Sequence, residues 1–223
     1  MSAPPDAARL AAGFEGAVAR LVGRPLFWIL LVAAVASWPI ASSLRTRLPP
    51  PLPVLAELPR FELQDQEGRP FGTRELEGRV WVASFIFTRC PTICPAITAQ
   101  MARIQGRTRQ LDPEFHLVSF SVDPAYDTPP RLAAYARAYH ASSRSWSFLT
   151  GPEEAVRDAV VTGLKTSMGR EPGADGRPGQ IFHGSHLVLV DRRGRVRGYY
   201  DSGDEQVVDR VVRDAGLLVN RGS

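Results

Sequence analysis

Phe87-Thr88-Arg89-Cys90-Pro91-Thr92-Ile93-Cys94-Pro95 holds both cysteines of the 223-residue chain, four positions apart. An apolar run, Val80 to Phe87 (VWVASFIF), leads into it and is bounded upstream by Gly78. Unbroken apolarity over such a length is the pattern of a strand buried on both faces. Ala96 to Gln110 leads out, with Ile97, Met101 and Ile104 at helical spacing. The stretch therefore predicts a strand, a thiol-bearing loop and a helix. Two thiols at such a junction point to metal binding or to thiol–disulfide exchange.

The spacing bears on that choice. Residues i and i+4 of a helix place their Cβ atoms about 5–6 Å apart. A disulfide requires about 3.5–4.5 Å. Two sulfurs each roughly 2.3 Å from a trigonal metal ion sit about 4 Å apart, which the spacing meets more easily. The pair leans towards metal, yet a disulfide stays open if Cys90 lies in the turn before the helix. A structural Cys90–Cys94 disulfide is the bland alternative. The helix N-terminus lowers thiol pKa values and favours thiolate. Pro91 is compatible with the first helical position, where no backbone N–H is needed.

Working outward, Phe61-Glu62-Leu63, a turn at Gln66-Glu67-Gly68 and Phe71 read as a small hairpin. Downstream, Phe115 to Val122 reads as a strand and Arg131 to Ala141 as a helix opened by Pro129-Pro130. Ser145 to Leu149 is a short strand, Glu153 to Leu164 a helix, and Ser167 to Gly179 a Gly- and Pro-rich loop. Ser185 to Val190 and Val196 to Tyr200 form a hairpin about Gly194, and Asp204 to Leu218 closes as a helix. This order predicts an α/β domain with helices on both faces of a sheet, and the thiols at the end of a central strand make it thioredoxin-like. Asp123 and Asp127 lie in Asp-Pro turn contexts and read as turn and cap residues, Asp123 also as a support for the cysteine loop. Met101, His116 and His140 read as packing or surface residues.

Leu26 to Leu44 carries no charged residue. Nineteen residues of helix span about 28 Å, close to the hydrocarbon thickness. We read 1–25 as a cytoplasmic segment, 26–44 as a transmembrane anchor and 45–54 as a stiff Pro-rich linker. Residues 55–223 form the domain, held outside the cytoplasm. Trp28 and Trp38 suit the two interfaces, and Pro39 is expected to kink or end the helix. A cleaved signal peptide, with Ala34-Val35-Ala36 as the cleavage site, is the rival reading. No cysteine precedes Cys90, so a lipid-modified cysteine is not expected.

Charge narrows the partners. Lys and Arg number 27 against 23 Asp and Glu, a net charge of +4 with no block of like charges. A nucleic-acid partner is therefore not expected.

The elements FTRCPTICP (87–95), SVDPAYDTP (121–129), WSFLTG (146–151) and HGSHLVLVDRRG (183–194) resemble those of the Sco/SenC family. The resemblance runs from about residue 55 to residue 215. It implies a membrane-anchored, thioredoxin-fold copper metallochaperone that assists assembly of the dinuclear copper site of cytochrome c oxidase. It further implies copper ligands at Cys90, Cys94 and His183. Two thiolates and one imidazole form a soft set suited to Cu(I), with Cu(II) also expected. The implied partners are the oxidase subunit carrying that copper site, other copper chaperones and thioredoxin-like reductants. The implied location is the periplasmic face of a bacterial inner membrane, with the mitochondrial inner membrane second. His186, three residues on, points to the opposite face if the strand is regular, and reads as a supporting residue. Two other functions stay in view. One is a thiol–disulfide oxidoreductase using Cys90 and Cys94, which would be an enzyme and would not need His183. The other is a copper or redox sensor.

Overall fold

The computed structural model describes residues 23–45, 50–170 and 181–221. The chain divides into two compact units, Met1–Pro51 and Leu52–Ser223. In the first, α1 spans Pro25–Arg45 and continues past Pro39, where the sequence predicts a kink or an end. Its side chains Leu26, Ile29, Leu30, Val32, Val35 and Trp38 are exposed. Among the described residues, no helix is long and apolar enough to cross a membrane. Residues 1–22 of the expected N-terminal segment and 46–49 of the expected linker lie outside the described residues.

The second unit opens with β1 (Ala56–Glu57), then β2 (Glu62–Gln64) and β3 (Pro70–Gly72), which pair as the expected hairpin. A short helix, α2 (Thr73–Leu76), precedes β4 (Val80–Ile86). Then come α3 (Ile93–Arg107), β5 (Phe115–Ser121), α4 (Pro129–Ala138), β6 (Trp146–Leu149) and α5 (Glu153–Arg157). β7 (Met168–Arg170), β8 (Ile181–His183), β9 (His186–Val190), β10 (Arg195–Asp201) and α6 (Val207–Arg221) complete it. The main sheet has the order β1-β10-β9-β4-β5-β6. β4 is parallel to β5 and antiparallel to β9.

β4 is central, and every one of its residues is buried. Its side chains alternate, as a pleated strand requires. Val80, Val82 and Ile86 enter one apolar layer together with Ile97, Met101 and Ile104 of α3, Leu132 of α4 and Val211 of α6. Trp81, Ala83 and Phe85 enter the other with Leu76, Val156 and Val160. Burial on both faces is why the run shows no polar alternation. Each fully buried aliphatic side chain contributes roughly 1.5–3 kcal/mol. Cys90 and Cys94 belong to the first layer, so the thiols sit at the rim of the α3 core and not on an open surface.

Three elements differ from the sequence reading. α3 begins at Ile93 and not Ala96, with Pro95 inside its first turn. A first-turn N–H has no intrahelical partner, so proline is tolerated there. The expected third helix is α-helical only to Arg157 and continues as a π-helix over Asp158–Gly163. The expected loop 167–179 contains β7, which pairs with β8 through Met168↔His183, Gly169↔Phe182 and Arg170↔Ile181. Gly and Pro dominate the intervening segment and mask this pairing in the sequence; residues 171–180 lie outside the described residues.

His116 is a core residue, as read. Its ring stacks on Phe71 at 5.7 Å, and Nε2 lies 3.0 Å from the Ser147 hydroxyl. Burial, and then the nearby Arg79 guanidinium, lower its pKa from 6.5 to about 4. Below pH 6.5 the unfolded chain therefore binds a proton that the folded chain refuses. The stability tied to this residue is intact above that pH and falls as pH drops towards 4, by about 3 kcal/mol in total. Urea midpoints measured between pH 7.5 and 4.5 should decline, and His116→Gln should flatten the decline. An unchanged slope in the variant would show that other groups carry it.

Candidate metal centre

β4 delivers Phe87, and the chain turns so that the Cys90 N–H donates to the Phe87 carbonyl at 3.1 Å. Cys90 therefore lies in the turn before α3, and Cys94 is the second helical residue. The pair is not an i, i+4 pair within a helix, which corrects the geometry assumed from spacing and leaves disulfide closure open. Neither cysteine is in a disulfide, and both are buried; Cys94 is fully buried and Cys90 is 9% exposed.

The two thiols are electrostatically unlike. Burial opposes ionisation of Cys90, but the backbone N–H groups of Cys94, Thr92 and Ile93 and the Cys94 thiol outweigh it, and its pKa is lowered. These are the N–H groups that a helix start leaves without backbone partners. Here they solvate a sulfur. Burial pushes the Cys94 thiol up, and the nearness of Cys90 and Asp127 adds to the rise. Ionisation is thus easier for Cys90 than for Cys94. A positive charge beside Cys94 would ease its ionisation, and a bound metal cation would supply one.

Two buried carboxylates fasten the cysteine loop to the turn after β5. Asp127, fully buried, accepts the Thr88 N–H at 3.1 Å, the Thr88 hydroxyl, and the Ser121 hydroxyl at 2.7 Å. Burial raises its pKa although the bonds from Thr88 and Ser121 oppose the rise. Asp123, 1% exposed, accepts Arg89 Nε at 2.7 Å. The Arg89 guanidinium lies 4.5 Å over the Tyr126 ring, and Arg131 lies 3.9 Å from the same ring. The turn reading of both aspartates holds, since Tyr126 and Asp127 N–H donate to the Asp123 carbonyl at 2.9 Å. Asp127 does more than that reading allowed, because it anchors the loop from below.

The histidine segment leads into β9, the neighbour of β4 on the side away from β5. β9 runs against β4, so its first residue lies at the sheet end where β4 releases the cysteine loop. His186 opens β9, is exposed and pairs with Asp201. His183 closes β8; its side chain lies outside the described residues. The two do not share one regular strand, so the opposite-face argument does not apply to them. Gly184 and Ser185 stand between, and a Cβ at Gly184 would come 2.5 Å from Thr166 Cγ2. Among the described residues, no group of three or more His, Cys, Asp and Glu side chains could hold a metal ion. His140 is exposed after α4, and Met101 is fully buried in the core, both as read.

The fold and the site define a thioredoxin-like α/β domain with a thiol pair between its central strand and the following helix. A family model described as SCO1/SenC matches residues 53–214, and the chain belongs to that family. It is 33% identical over 163 residues to the SCO1 protein homolog of Bacillus subtilis, covering 73% of this chain and 82% of that one. It is 35% identical over 153 residues to a Stutzerimonas stutzeri protein named "Putative copper-binding protein", covering 66% of this chain and 71% of that one. The solved structure of BsSco is described as a member of the Sco family of cytochrome c oxidase assembly proteins with a disulfide switch. It is 30% identical, covers 76% of this chain and 98% of its own, and superposes with a TM-score of 0.64.

Two outcomes follow from this geometry. Limited iodoacetamide at pH 7.5, read by peptide mass spectrometry, should label Cys90 well before Cys94; equal labelling would contradict the asymmetry. Asp127→Ala strips Thr88 and Ser121 of a buried acceptor and should cost at least about 2 kcal/mol in urea unfolding. A loss below about 0.5 kcal/mol would show that the anchor is dispensable.

Proposed function

We propose that this chain is a membrane-tethered copper metallochaperone that holds copper through Cys90, Cys94 and His183 and serves assembly of the dinuclear copper site of cytochrome c oxidase. The observation that carries the reading is the sulfur of Cys90 held by the first-turn N–H groups of α3, with Cys94 buried beside it. Two thiolates form a soft donor set that favours Cu(I), and an imidazole completes three-coordination. The S. stutzeri relative, by its name, and BsSco, by its description, support the metal and the oxidase. Copper here is cargo, and its chemistry is that of a soft, exchangeable Lewis acid. Cys90 supplies the prepared thiolate, the first turn of α3 holds it, and the apolar layer around Cys94 excludes water. The receiving oxidase subunit, other copper chaperones and thioredoxin-like reductants are the partners.

A second reading is favoured by the position of Cys90 in the turn, where the pair can close. In that reading the chain is an oxidoreductase. The Cys90 thiolate attacks a partner disulfide and expels one partner thiolate, and the Cys94 thiol, on deprotonation, displaces the second. The partner gains two thiols and this chain gains the Cys90–Cys94 disulfide. The disulfide switch of BsSco supports this chemistry in a relative.

The anchor reading rests on the charge-free run within α1 and its exposed apolar side chains. It puts residues 1–25 in the cytoplasm, 26–44 in a bacterial inner membrane and the domain in the periplasm. A reporter fused after Ser223 should be active only in a periplasmic form. Activity only in a cytoplasmic form would sink the topology, and a soluble product starting at Ser37 would favour a cleaved signal peptide.

Metal and disulfide compete for the same sulfurs, so loading and oxidation should exclude one another. The reduced protein should take up one equivalent of Cu(I) anaerobically, and the oxidised protein none at this site. His183→Ala should weaken copper binding at least about tenfold, or 1.4 kcal/mol, and leave the cysteine reduction potential less affected. His186→Ala should change copper binding little. Loss in His186→Ala alone would move the ligand to His186. No loss in either would leave a two-thiolate site and favour the oxidoreductase.

A further inference from the structure

Gln100 lies on α3, two turns beyond Cys94. Its Nε2 donates to the Ser202 carbonyl at 2.7 Å, at the turn that follows β10. Ser202 N–H in turn donates to the Ser185 carbonyl at 3.1 Å. Ser185 sits between His183 and His186. On its other side, Gly184 N–H donates to the Ser167 carbonyl at 2.9 Å. Two consecutive hydrogen bonds thus join the helix bearing Cys94 to the segment bearing both histidines. Strand pairing ties that segment to the sheet and to β7 as well.

The amide is held at a cost. Gln100 Oε1 is buried and accepts no hydrogen bond among the described residues. A buried oxygen without a donor costs about 1–3 kcal/mol. An apolar side chain of similar size would avoid that cost and pack in the same space. The Nε2 donation therefore fixes the amide in an orientation that packing alone would not choose.

We infer that Gln100 is a positioning residue for the copper site, bracing the histidine segment against the cysteine helix. This rests on the reading of Cys90, Cys94 and His183 as the ligands. Cys90 and Cys94 are set by α3 and the aspartate anchors, and need no help from Gln100. A histidine arriving on a different part of the chain does. Without the brace, the histidine segment keeps its sheet pairing but loses this tie to α3. A ligand free to move pays ordering entropy each time it binds.

The test compares full-length wild type with Gln100→Leu, which removes the donor, and Gln100→Lys, which keeps one. In the metal-free protein, amide exchange at Ser202 should quicken about tenfold in Gln100→Leu and return towards wild type in Gln100→Lys. Anaerobic titration against a competing Cu(I) chelator should show affinity about five- to tenfold weaker in Gln100→Leu and restored in Gln100→Lys. The Cu(II) absorption spectrum should shift in Gln100→Leu, while the Cys90–Cys94 reduction potential and the Cys90 alkylation rate stay at wild-type values. A general loss of folding would move all of these together. If wild type binds copper through His183 and Gln100→Leu matches it in affinity and spectrum, the brace is overturned and the ligand assignment survives. If wild type takes up no Cu(I), the ligand assignment fails and the brace fails with it.

Discussion

The site depends first on a buried carboxylate. Asp127 has no solvent to stabilise its charge and instead collects the N–H and hydroxyl of Thr88 and the hydroxyl of Ser121. Ser121 ends β5 and Thr88 follows β4, so one side chain ties together the exits of two parallel strands. A loop leaving a sheet edge would otherwise choose its own path, and its thiol positions would drift with it. Burying a carboxylate is costly unless its lone pairs are filled, and here they are filled by the groups it must hold. Asp123 repeats the device one turn earlier, trading Arg89 at the surface for a fixed backbone beside Cys90.

Once the loop is fixed, the helix start decides what the thiols are. The first N–H groups of α3 have no carbonyls to reach, because Pro91 and the turn remove any preceding helical residue. They turn to the Cys90 sulfur. Cys94, the second residue of the helix, points into the apolar layer with Ile97 and Met101, where burial outweighs the help that a backbone hydrogen bond at Phe87 gives. The same local structure thereby eases ionisation of one thiol and opposes it in the other. Either proposed chemistry, copper binding or disulfide exchange, would begin from that asymmetry. They diverge in what arrives next: a cation that ionises Cys94, or a disulfide that Cys90 attacks.

Much of this was legible in the sequence because it is local. The run VWVASFIF fixes a doubly buried strand, Ile97, Met101 and Ile104 fix the inner face of α3, and Gly194 marks the last hairpin. The thiol pair and its place at a strand end follow from their position between these two patterns. What the sequence hid is non-local or concealed by punctuation. β7 and β8 are short strands separated by a Gly- and Pro-rich segment, and neither alternates clearly. Pro95 reads as a helix boundary although a first turn accepts it. Asp127 looks like a turn residue because its turn role is genuine, and its partners Thr88 and Ser121 become visible only when parallel strands align. Gln100 is a mid-helix glutamine of ordinary helix propensity, and nothing near it in the chain marks Ser202 as its acceptor.

The direction of β9 explains why a distant histidine segment comes to the thiol end of the sheet. A parallel neighbour of β4 would begin at the opposite end of the sheet and carry the residues before it away from the thiols. β9 is antiparallel, so the residues that precede it, Gly184, Ser185 and His183, enter at the thiol end. β10 then runs back and leaves from that same end, which brings Ser202 beside Ser185. Topology alone thus assembles the cysteine loop, the histidine segment and the β10 exit at one edge, with no contact needed to explain their meeting. Topology does not set their spacing to the precision a shared ligand demands. Sheet pairing holds the histidine segment to the strands, and the aspartates hold the cysteine loop to the same strands. The remaining freedom lies between the strand ends and α3, where the Gln100 amide crosses from helix to turn.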